Sequence, residues 1–175
     1  MEPPKDTGTS NQTPQEVETP TQPESKTRLE EFKTLMDIIF DNIRKRFPDK
    51  ETWEKNKESR KGIVFDDEGI VFRLPSPMDG VVRKGQFISK YISIAKRHDG
   101  KTYEWYTDEE YGSRLRKTHL TILGNEIIYT SSLEDEDHSH PPNTRILRIP
   151  GEINLCLSEP ISIIKPIADK ILQSR

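Results

Sequence analysis

The chain has 175 residues, of which 31% are hydrophobic and 33% are charged, and its formal net charge is −3. This balance predicts one modest core in a single domain and excludes a chain-wide basic field that would drive nucleic-acid binding. The single cysteine, Cys156, excludes an intramolecular disulfide and favours a reducing compartment. No apolar stretch approaches the roughly 20 residues that cross a bilayer, and the N-terminus lacks the apolar run of a secretory signal. We therefore expect an intracellular protein without a transmembrane segment.

Residues 1–25 are rich in Pro, Thr, Gln and Glu, and Val17 is their only β-branched aliphatic residue. A segment this polar cannot bury enough apolar surface to offset the entropy lost on folding, so we predict a disordered tail. Residues 26–175 are then expected to form one domain. Candidate sites of proline-directed phosphorylation are the Ser/Thr-Pro dipeptides that begin at Thr13, Thr19 and Ser76.

From Ser25 the pattern predicts an amphipathic helix. Apolar residues recur every three or four positions, at Leu29, Phe32, Leu35, Met36, Ile39, Phe40 and Ile43. Ser25 or Thr27 can cap this helix, and Pro48 prevents its continuation. We expect its apolar face to pack on the protein's own sheet, with a partner-binding helix as the alternative. The charged segment 49–61 around Trp53 is compatible with a short helix or with a linker.

The centre of the chain predicts β-hairpins. β-Branched and aromatic residues fill 87–96 and 102–107, and the Asp99-Gly100 dipeptide between them is a strong hairpin signal. A polar stretch from Asp108 is expected to end this hairpin. Gly124-Asn125 lies between two further apolar arms and predicts a second tight hairpin.

The segment before this centre predicts shorter strands. Residues 62–72 contain two short apolar runs around the acidic turn Asp66-Asp67-Glu68, and they predict two strands, with a single bent strand as the alternative. Pro75 and Pro77 then predict a loop, because proline removes the backbone donor that a central strand needs. The next strand is expected to begin at Val81.

The C-terminal segment predicts one more hairpin and a short helix. Residues 145–149 and 152–157 flank Pro150-Gly151, and residues 161–164 read as a short strand. Pro166 is suited to open a final short helix. Together the elements predict an α+β fold, with a leading helix, an antiparallel sheet of roughly six to eight strands and a C-terminal helix.

No stretch carries the signature of a metal or cofactor site. Asp66, Asp67 and Glu68 are successive turn residues, which rarely point at one spot. His138 and His140 have the spacing of a chelating pair, but they lie in an acidic loop without a fixed third ligand. We therefore expect no metal ion and no cofactor.

Nucleophilic catalysis has no support in the sequence either. His98 and His119 accompany no nucleophile elbow or activated cysteine pattern. Cys156 lies in an apolar run and is predicted to be a buried small hydrophobe. We predict a non-enzymatic protein, while an enzyme whose site is assembled only in the folded chain stays open.

Basic residues follow a pattern along the predicted sheet. They are Arg83, Lys84, Lys96, Arg97, Arg114, Arg116 and Lys117. Four aromatic residues lie among them, namely Tyr91, Tyr103, Trp105 and Tyr106. Such a basic–aromatic surface can bind single-stranded nucleic acid or meet anionic lipid, or it can be an ordinary solvated sheet face. Alternation along the strand places Arg114 and Arg116 on one face and Lys117 on the other.

A short motif precedes the helix. Pro20, Thr21, Gln22 and Pro23 resemble the Pro-Thr/Ser-x-Pro late-domain motif by which viral structural proteins recruit the host budding machinery, with Gln22 in place of the usual alanine. The order of a Pro-rich tail and one α+β domain, with few cysteines, also resembles the matrix proteins of rhabdoviruses, including those of plants. That resemblance implies a virion protein that self-associates, contacts the nucleocapsid and lies on the membrane.

The sequence thus favours a non-enzymatic interaction or assembly protein. Its expected partners are proteins, including a second copy of itself, and the matrix-like role with nucleocapsid and anionic membrane is the most concrete form. The alternative is a regulatory nucleic-acid-binding module that uses the basic–aromatic sheet face. Direct contact with nucleic acid is left open at this point.

Overall fold

The computed structural model describes residues 21–74, 81–83, 86–135 and 140–175. Its helices are α1 (Thr21–Arg46), α2 (Lys50–Lys55) and α3 (Pro150–Gln173). Its strands are β1 (Ile63–Phe65), β2 (Gly69–Leu74), β3 (Val81–Arg83), β4 (Gln86–Arg97), β5 (Thr102–Tyr111), β6 (Arg114–Leu123), β7 (Glu126–Glu134) and β8 (Asn143–Leu147).

The strands form one antiparallel sheet in the order β1-β2-β4-β5-β6-β7-β8, and β3 pairs with the N-terminal end of β4. The structure confirms the predicted α+β fold, with a leading helix, a sheet of hairpins and a C-terminal helix. The predicted disordered tail falls largely on residues 1–20, which lie outside the described residues. Thr21–Ser25, which the sequence assigned to that tail, instead form the beginning of α1.

One side of the sheet is buried beneath α1 and α3. Every residue of the predicted α1 stripe is buried, and Phe32, Met36 and Phe40 are completely inaccessible. The strand register aligns Ile94, Trp105 and Leu120 beneath the helices, and each is at most 2% exposed. We call this side the helix face. Because side chains alternate along a strand, every second residue lies on the opposite side, which we call the open face.

Polar contacts fix α1 on the helix face. Asp37 of α1 accepts hydrogen bonds from Lys96 Nζ at 2.7 Å and from the Tyr103 hydroxyl at 2.8 Å. Farther along α1, an Arg44 nitrogen lies 3.2 Å from His98 Nδ1 in the β4–β5 turn. The helix predicted to pack on its own sheet therefore does so, through both apolar and polar contacts.

The two hairpin turns follow their predicted chemistry. Gly100 and Gly124 have φ angles of +73° and +59°, a backbone region that residues with a Cβ rarely enter. Asp99 Oδ1 accepts hydrogen bonds from the backbone N–H groups of Lys101 and Thr102, which closes the β4–β5 turn. The polar stretch from Asp108 does not end β5, because β5 continues in register with β4 and β6 to Tyr111.

The C-terminal segment is the part of the fold that the sequence predicted wrongly. Residues 150–173 form one helix, α3, and neither the third hairpin nor the strand at 161–164 exists. Its buried residues recur with the period of a helix: Ile153, Leu157, Pro160, Ile164 and Ala168. Pro160 and Pro166 lie inside α3 and each removes one intrahelical hydrogen bond, and packing of this stripe against α1 and the sheet offsets their cost.

The segment after α1 resolves an alternative that the sequence left open. It contains a short helix, α2, and the carboxylate of Asp49 caps it by accepting a hydrogen bond from Thr52 N at 2.7 Å. The loop predicted around Pro75 and Pro77 lies outside the described residues. None of the described helices combines the length and the apolar composition needed to cross a bilayer.

Candidate functional site

The basic residues singled out from the sequence do not form one patch. The Lys96 side chain lies on the helix face and donates a hydrogen bond to Asp37, whereas Arg97 lies on the open face. Arg114 and Arg116 share the helix face, but they lie far along the sheet from Lys96. Six residues of β5 separate the position opposite Lys96 from the position opposite Arg116, and eight separate it from the position opposite Arg114, which correspond to about 20 Å and about 26 Å. Lys117 lies on the open face, as alternation predicted.

The remaining predicted residues give little support to a single basic surface. Arg83 belongs to β3, and Lys84 lies outside the described residues. Register places acidic partners beside the basic residues of β6: Glu109 is opposite Arg116, and Asp108 is opposite Lys117. These neighbours reduce the local positive potential.

The aromatic residues divide between the two faces. Tyr103 and Trp105 lie on the helix face and are 6% and 2% exposed, so neither can stack on an external base. Tyr91 and Tyr106 lie on the open face. The guanidinium of Arg73 lies 4.3 Å from the centroid of the Tyr91 ring, which is a cation–π geometry.

The late-domain-like motif is placed only in part. Pro20 lies outside the described residues, and Thr21, Gln22 and Pro23 are helical residues at the beginning of α1. An extended partner-binding conformation at these three positions would require this first part of α1 to unwind.

A carboxylate is buried at the centre of the open face. The Glu104 side chain is only 5% exposed, although neither α1 nor α3 covers this side of the sheet. Arg97 holds both of its oxygens: Nε lies 2.6 Å from Oε2, and Nη2 donates to Oε1 at 3.0 Å. His119 Nε2 lies 3.1 Å from Oε1, and the Tyr106 hydroxyl is a further hydrogen-bond partner. The rings of Tyr106 and His119 stack with centroids 4.1 Å apart. These four residues are called the Glu104 network below.

The Glu104 network is held in a defined charge state. Burial raises the pKa of the Glu104 carboxyl, but hydrogen bonds from His119, Arg97 and Tyr106 outweigh burial and lower this pKa to about 2. The hydrogen bond to Glu104 raises the pKa of Arg97, and burial together with Glu104 raises the pKa of Tyr106. A carboxylate with so low a pKa is a poor general base near neutral pH, so the network suits an anchor better than a proton carrier.

Other chemically interesting side chains have structural partners. Asp66 Oδ1 accepts hydrogen bonds from the backbone N–H groups of Glu68 and Gly69, which closes the β1–β2 turn. His98 Nε2 lies 2.9 Å from the Asp66 carbonyl.

Burial raises the pKa of the Cys156 thiol to about 11, so little nucleophilic thiolate forms. Among the described residues, no group of His, Cys, Asp and Glu side chains is arranged to hold a metal ion. His138 lies outside them.

A row of mostly apolar residues, interrupted by Glu104 and Thr121, crosses the open face in strand register. It consists of Val64, Val71, Ala95, Glu104, Thr121, Ile128 and Ile146. Its two terminal residues, Val64 and Ile146, are 49% and 50% exposed. Of the seven exposed large hydrophobic residues that the described chain presents, four are on this face, namely Val64, Tyr91, Leu123 and Ile146. The open face therefore combines four exposed hydrophobic residues with a buried charged network at its centre.

The helix face has a depression near the turn between β5 and β6. It has a volume of about 210 Å³ and is lined by Glu109, Tyr111, Arg114, Arg116 and Leu133. Arg114 Nε lies 3.8 Å from a carboxylate oxygen of Asp135. The depression thus combines two arginines with nearby acidic groups.

Sequence reasoning named Arg97, Tyr106 and His119 separately, but it missed Glu104 and the network that these residues form around it. Glu104 alternates with the buried Trp105, so its position predicts an exposed carboxylate, and only the assembled side chains of β4 and β6 bury it.

Comparison of the chain with protein-family models, with curated proteins and with solved structures finds no match. The functional interpretation of this chain therefore depends on its own residues.

Proposed function

We propose that this chain is a non-enzymatic interaction and assembly protein, and that it docks a protein partner on the open face of its sheet. One observation carries this proposal: the side of the sheet left open by α1 and α3 holds most of the exposed large hydrophobic residues of the described chain. The register places Val64 and Ile146 on the two edge strands, with Tyr91 and Leu123 on strands between them, so exposed hydrophobic residues are spread over this face among polar ones. Such a mixed apolar and polar surface is typical of protein–protein contacts. The Glu104 network stiffens the centre of this surface, which limits the entropy lost on docking.

Charge supports a protein partner over a nucleic acid. In the described strands, the register places three basic residues on the open face, namely Arg73, Arg97 and Lys117. It places five acidic residues there, namely Glu104, Asp108, Glu110, Glu126 and Glu134. A face with more acidic than basic residues repels a phosphate backbone, whereas a protein partner can match both signs.

The more specific form of this proposal is a matrix-like role in a virion, with the nucleocapsid or an anionic membrane as further contacts. It draws support from the layout of tail and domain, and from the late-domain-like motif at 20–23. The depression beside Arg114 and Arg116 offers cations at a rim of the molecule, although Glu109 and Asp135 lie beside them. Cosedimentation with vesicles of anionic and of neutral lipid tests the membrane contact, and equal recovery with both lipids argues against it.

The proposal is tested with charge substitutions on exposed hydrophobic residues. Tyr91→Glu and Leu123→Glu, made singly, place a carboxylate on the open face, and Leu172→Glu on α3 is the matched control on the other side of the molecule. The tagged full chain is used to capture proteins from native lysate with quantitative mass spectrometry, and each captured protein is then purified and titrated. We expect a partner whose affinity falls at least tenfold with either open-face variant and is unchanged with Leu172→Glu.

If every captured protein binds all three variants equally, the open face is not the docking surface. If capture disappears when the lysate is treated with nuclease, the contact is mediated by nucleic acid.

The second candidate is a module that binds single-stranded nucleic acid, and the pairing of Arg73 with Tyr91 favours it. An exposed ring beside a guanidinium is a platform on which bases stack. Fluorescence anisotropy with short labelled strands at physiological salt measures such binding. We expect no sub-micromolar affinity, and sub-micromolar affinity that is lost with both Arg73→Glu and Tyr91→Ala would establish the second candidate instead.

A further inference from the structure

The two edge strands of the sheet, β1 and β8, differ in whether their outward backbone groups are hydrogen-bonded within the chain. At the β1 edge, Arg73 N–H bonds to the Gly62 carbonyl and Asp66 N–H to the Gly69 carbonyl. Since hydrogen-bonded pairs alternate in an antiparallel ladder, Val64 bonds to β2 and the backbone groups of Ile63 point outward. Both outward groups of Ile63 are used within the chain.

A side chain and a turn close this β1 edge at Ile63. Ile63 N–H donates to the Arg60 carbonyl at 2.9 Å, and the Ile63 carbonyl accepts from the indole Nε1 of Trp53 at 2.8 Å. The Arg60 guanidinium lies 4.2 Å from the centroid of the Trp53 ring and holds the indole in place. A further strand cannot pair with Ile63 without breaking these bonds.

Among the described residues, none closes the β8 edge in this way. The two-residue turn Gly124-Asn125 makes Leu123 and Glu126 a hydrogen-bonded pair, so even-numbered residues of β7 bond to β6 and odd-numbered residues bond to β8. Arg145 and its alternate neighbours on β8 therefore bond to β7. Thr144 and Ile146 direct their backbone N–H and C=O groups outward, and no backbone group elsewhere in the described chain bonds to them.

We infer that the β8 edge pairs with the β8 edge of a second copy of this chain, which extends the sheet across a twofold axis. The internal bonds of Ile63 and the open β8 edge favour this arrangement: adding β8 to β1 would break both bonds of Ile63, which disfavours head-to-tail growth, whereas the isologous contact closes as a dimer. This inference concerns the edge of the sheet and does not depend on the partner proposed for the open face.

The residues of β8 select one register for this pairing. Outward groups must face outward groups, so even-numbered residues oppose even-numbered residues of the second copy. Centring the axis on Arg145 would oppose two arginines, which is unfavourable. Centring it on Thr144 would oppose Ile146 to Pro142, which has no N–H to donate. If the axis is centred on Ile146, the two Ile146 side chains lie opposite each other on the open face, and Thr144 of each copy lies opposite Arg148 of the other.

Exposed apolar side chains at this edge favour a whole second copy over an isolated peptide strand. Ile146, Ile149 and Leu155 are 50%, 62% and 80% exposed, and they lie on β8 and in and before the first turns of α3. Glu152 of α3 is tied to Arg145 of β8 by an ion pair at 3.3 Å, so α3 begins beside the edge. A second copy brings its own helix layer as well as a strand, and it can cover all three residues.

The test measures the oligomeric state of the full chain by analytical ultracentrifugation. We expect a dimer for the unchanged chain and a monomer for Ile146→Pro, because proline removes an outward N–H that the monomer does not use. Ile146→Val is the matched control and is expected to remain a dimer. Circular dichroism checks that each variant is folded.

Oxidative crosslinking provides a second readout that does not require a destabilising substitution. In a Cys156→Ser background, Ile146→Cys places two thiols across the axis within the range of a disulfide, whereas Thr144→Cys places them too far apart. We expect crosslinked dimer only with Ile146→Cys. A monomeric chain at high micromolar concentration, or equal crosslinking of both cysteine variants, would overturn the inference. If the monomeric chain still bound a partner sensitive to Tyr91→Glu, the proposed function would stand without it.

Discussion

Replacement of Glu104 by glutamine tests how far the Glu104 network stabilises the fold. The substitution keeps the shape of the side chain and removes its charge, so it imitates the protonated carboxyl that the native protein forms only in strong acid. The interval between the usual pKa of 4.5 and the pKa of about 2 in the folded protein is worth roughly 3 kcal/mol, at about 1.4 kcal/mol per pH unit. We expect Glu104→Gln to lower the free energy of unfolding at pH 7 by about this amount.

The pH dependence of stability separates this explanation from a simple packing defect. Because the folded protein holds the Glu104 pKa below its unfolded value, its contribution is complete above about pH 4.5 and is lost as the pH falls towards 2. Urea unfolding at a series of pH values should therefore show the native and Glu104→Gln curves converging in acid. The matched control is Glu110→Gln, an exposed carboxylate on the same strand and face, with an expected change within about 0.5 kcal/mol. A gap that stays constant from pH 7 to pH 3 would refute the reasoning.

Three further outcomes follow from burial. Ile39→Ala should lower the free energy of unfolding by about 2–5 kcal/mol in urea titrations, because Ile39 is 1% exposed, and Ile39→Val should cost clearly less. Trp105→Ala should destabilise the fold by about 3–5 kcal/mol in the same assay, since its ring lies in the core, whereas Tyr91→Ala should change stability little. Cys156 should react slowly with a thiol reagent at pH 8 in the folded chain and rapidly in urea, because burial raises its pKa to about 11; equal rates would contradict this placement.

The hairpins were predictable because their signals are local. Asp99-Gly100 and Gly124-Asn125 each combine turn residues with flanking β-branched residues, and both turns occur where the sequence placed them. The apolar stripe of α1 was equally predictable, since its apolar residues recur every three or four positions over several helical turns and do not also fit the alternation of a strand. These elements need no knowledge of distant residues.

The C-terminal helix α3 is the element that local sequence patterns predicted wrongly, as strands. Ile153, Leu155 and Leu157 alternate as a strand would, and prolines at 160 and 166 argue against a helix interior. The same residues also fit a helical period through Ile153, Leu157 and Ile164, and burial against α1 and the sheet decided between the two. A short apolar run cannot distinguish these periods by itself, because the deciding free energy comes from residues far away in the chain.

By itself, the sequence determined that the chain forms an α+β fold, that tight turns at Asp99-Gly100 and Gly124-Asn125 join strands, and that Arg114 and Arg116 share one face while Lys117 takes the other. Each of these follows from interactions between residues near in sequence or from the alternation of a strand. Only the tertiary structure decided which face α1 and α3 cover, and hence that Trp105 is core while Tyr91 is exposed. It also decided that β4, β5 and β6 bury Glu104, and that Trp53 closes one edge of the sheet while β8 stays open. These properties depend on the register and packing of distant segments, for which a single sequence contains no local signal.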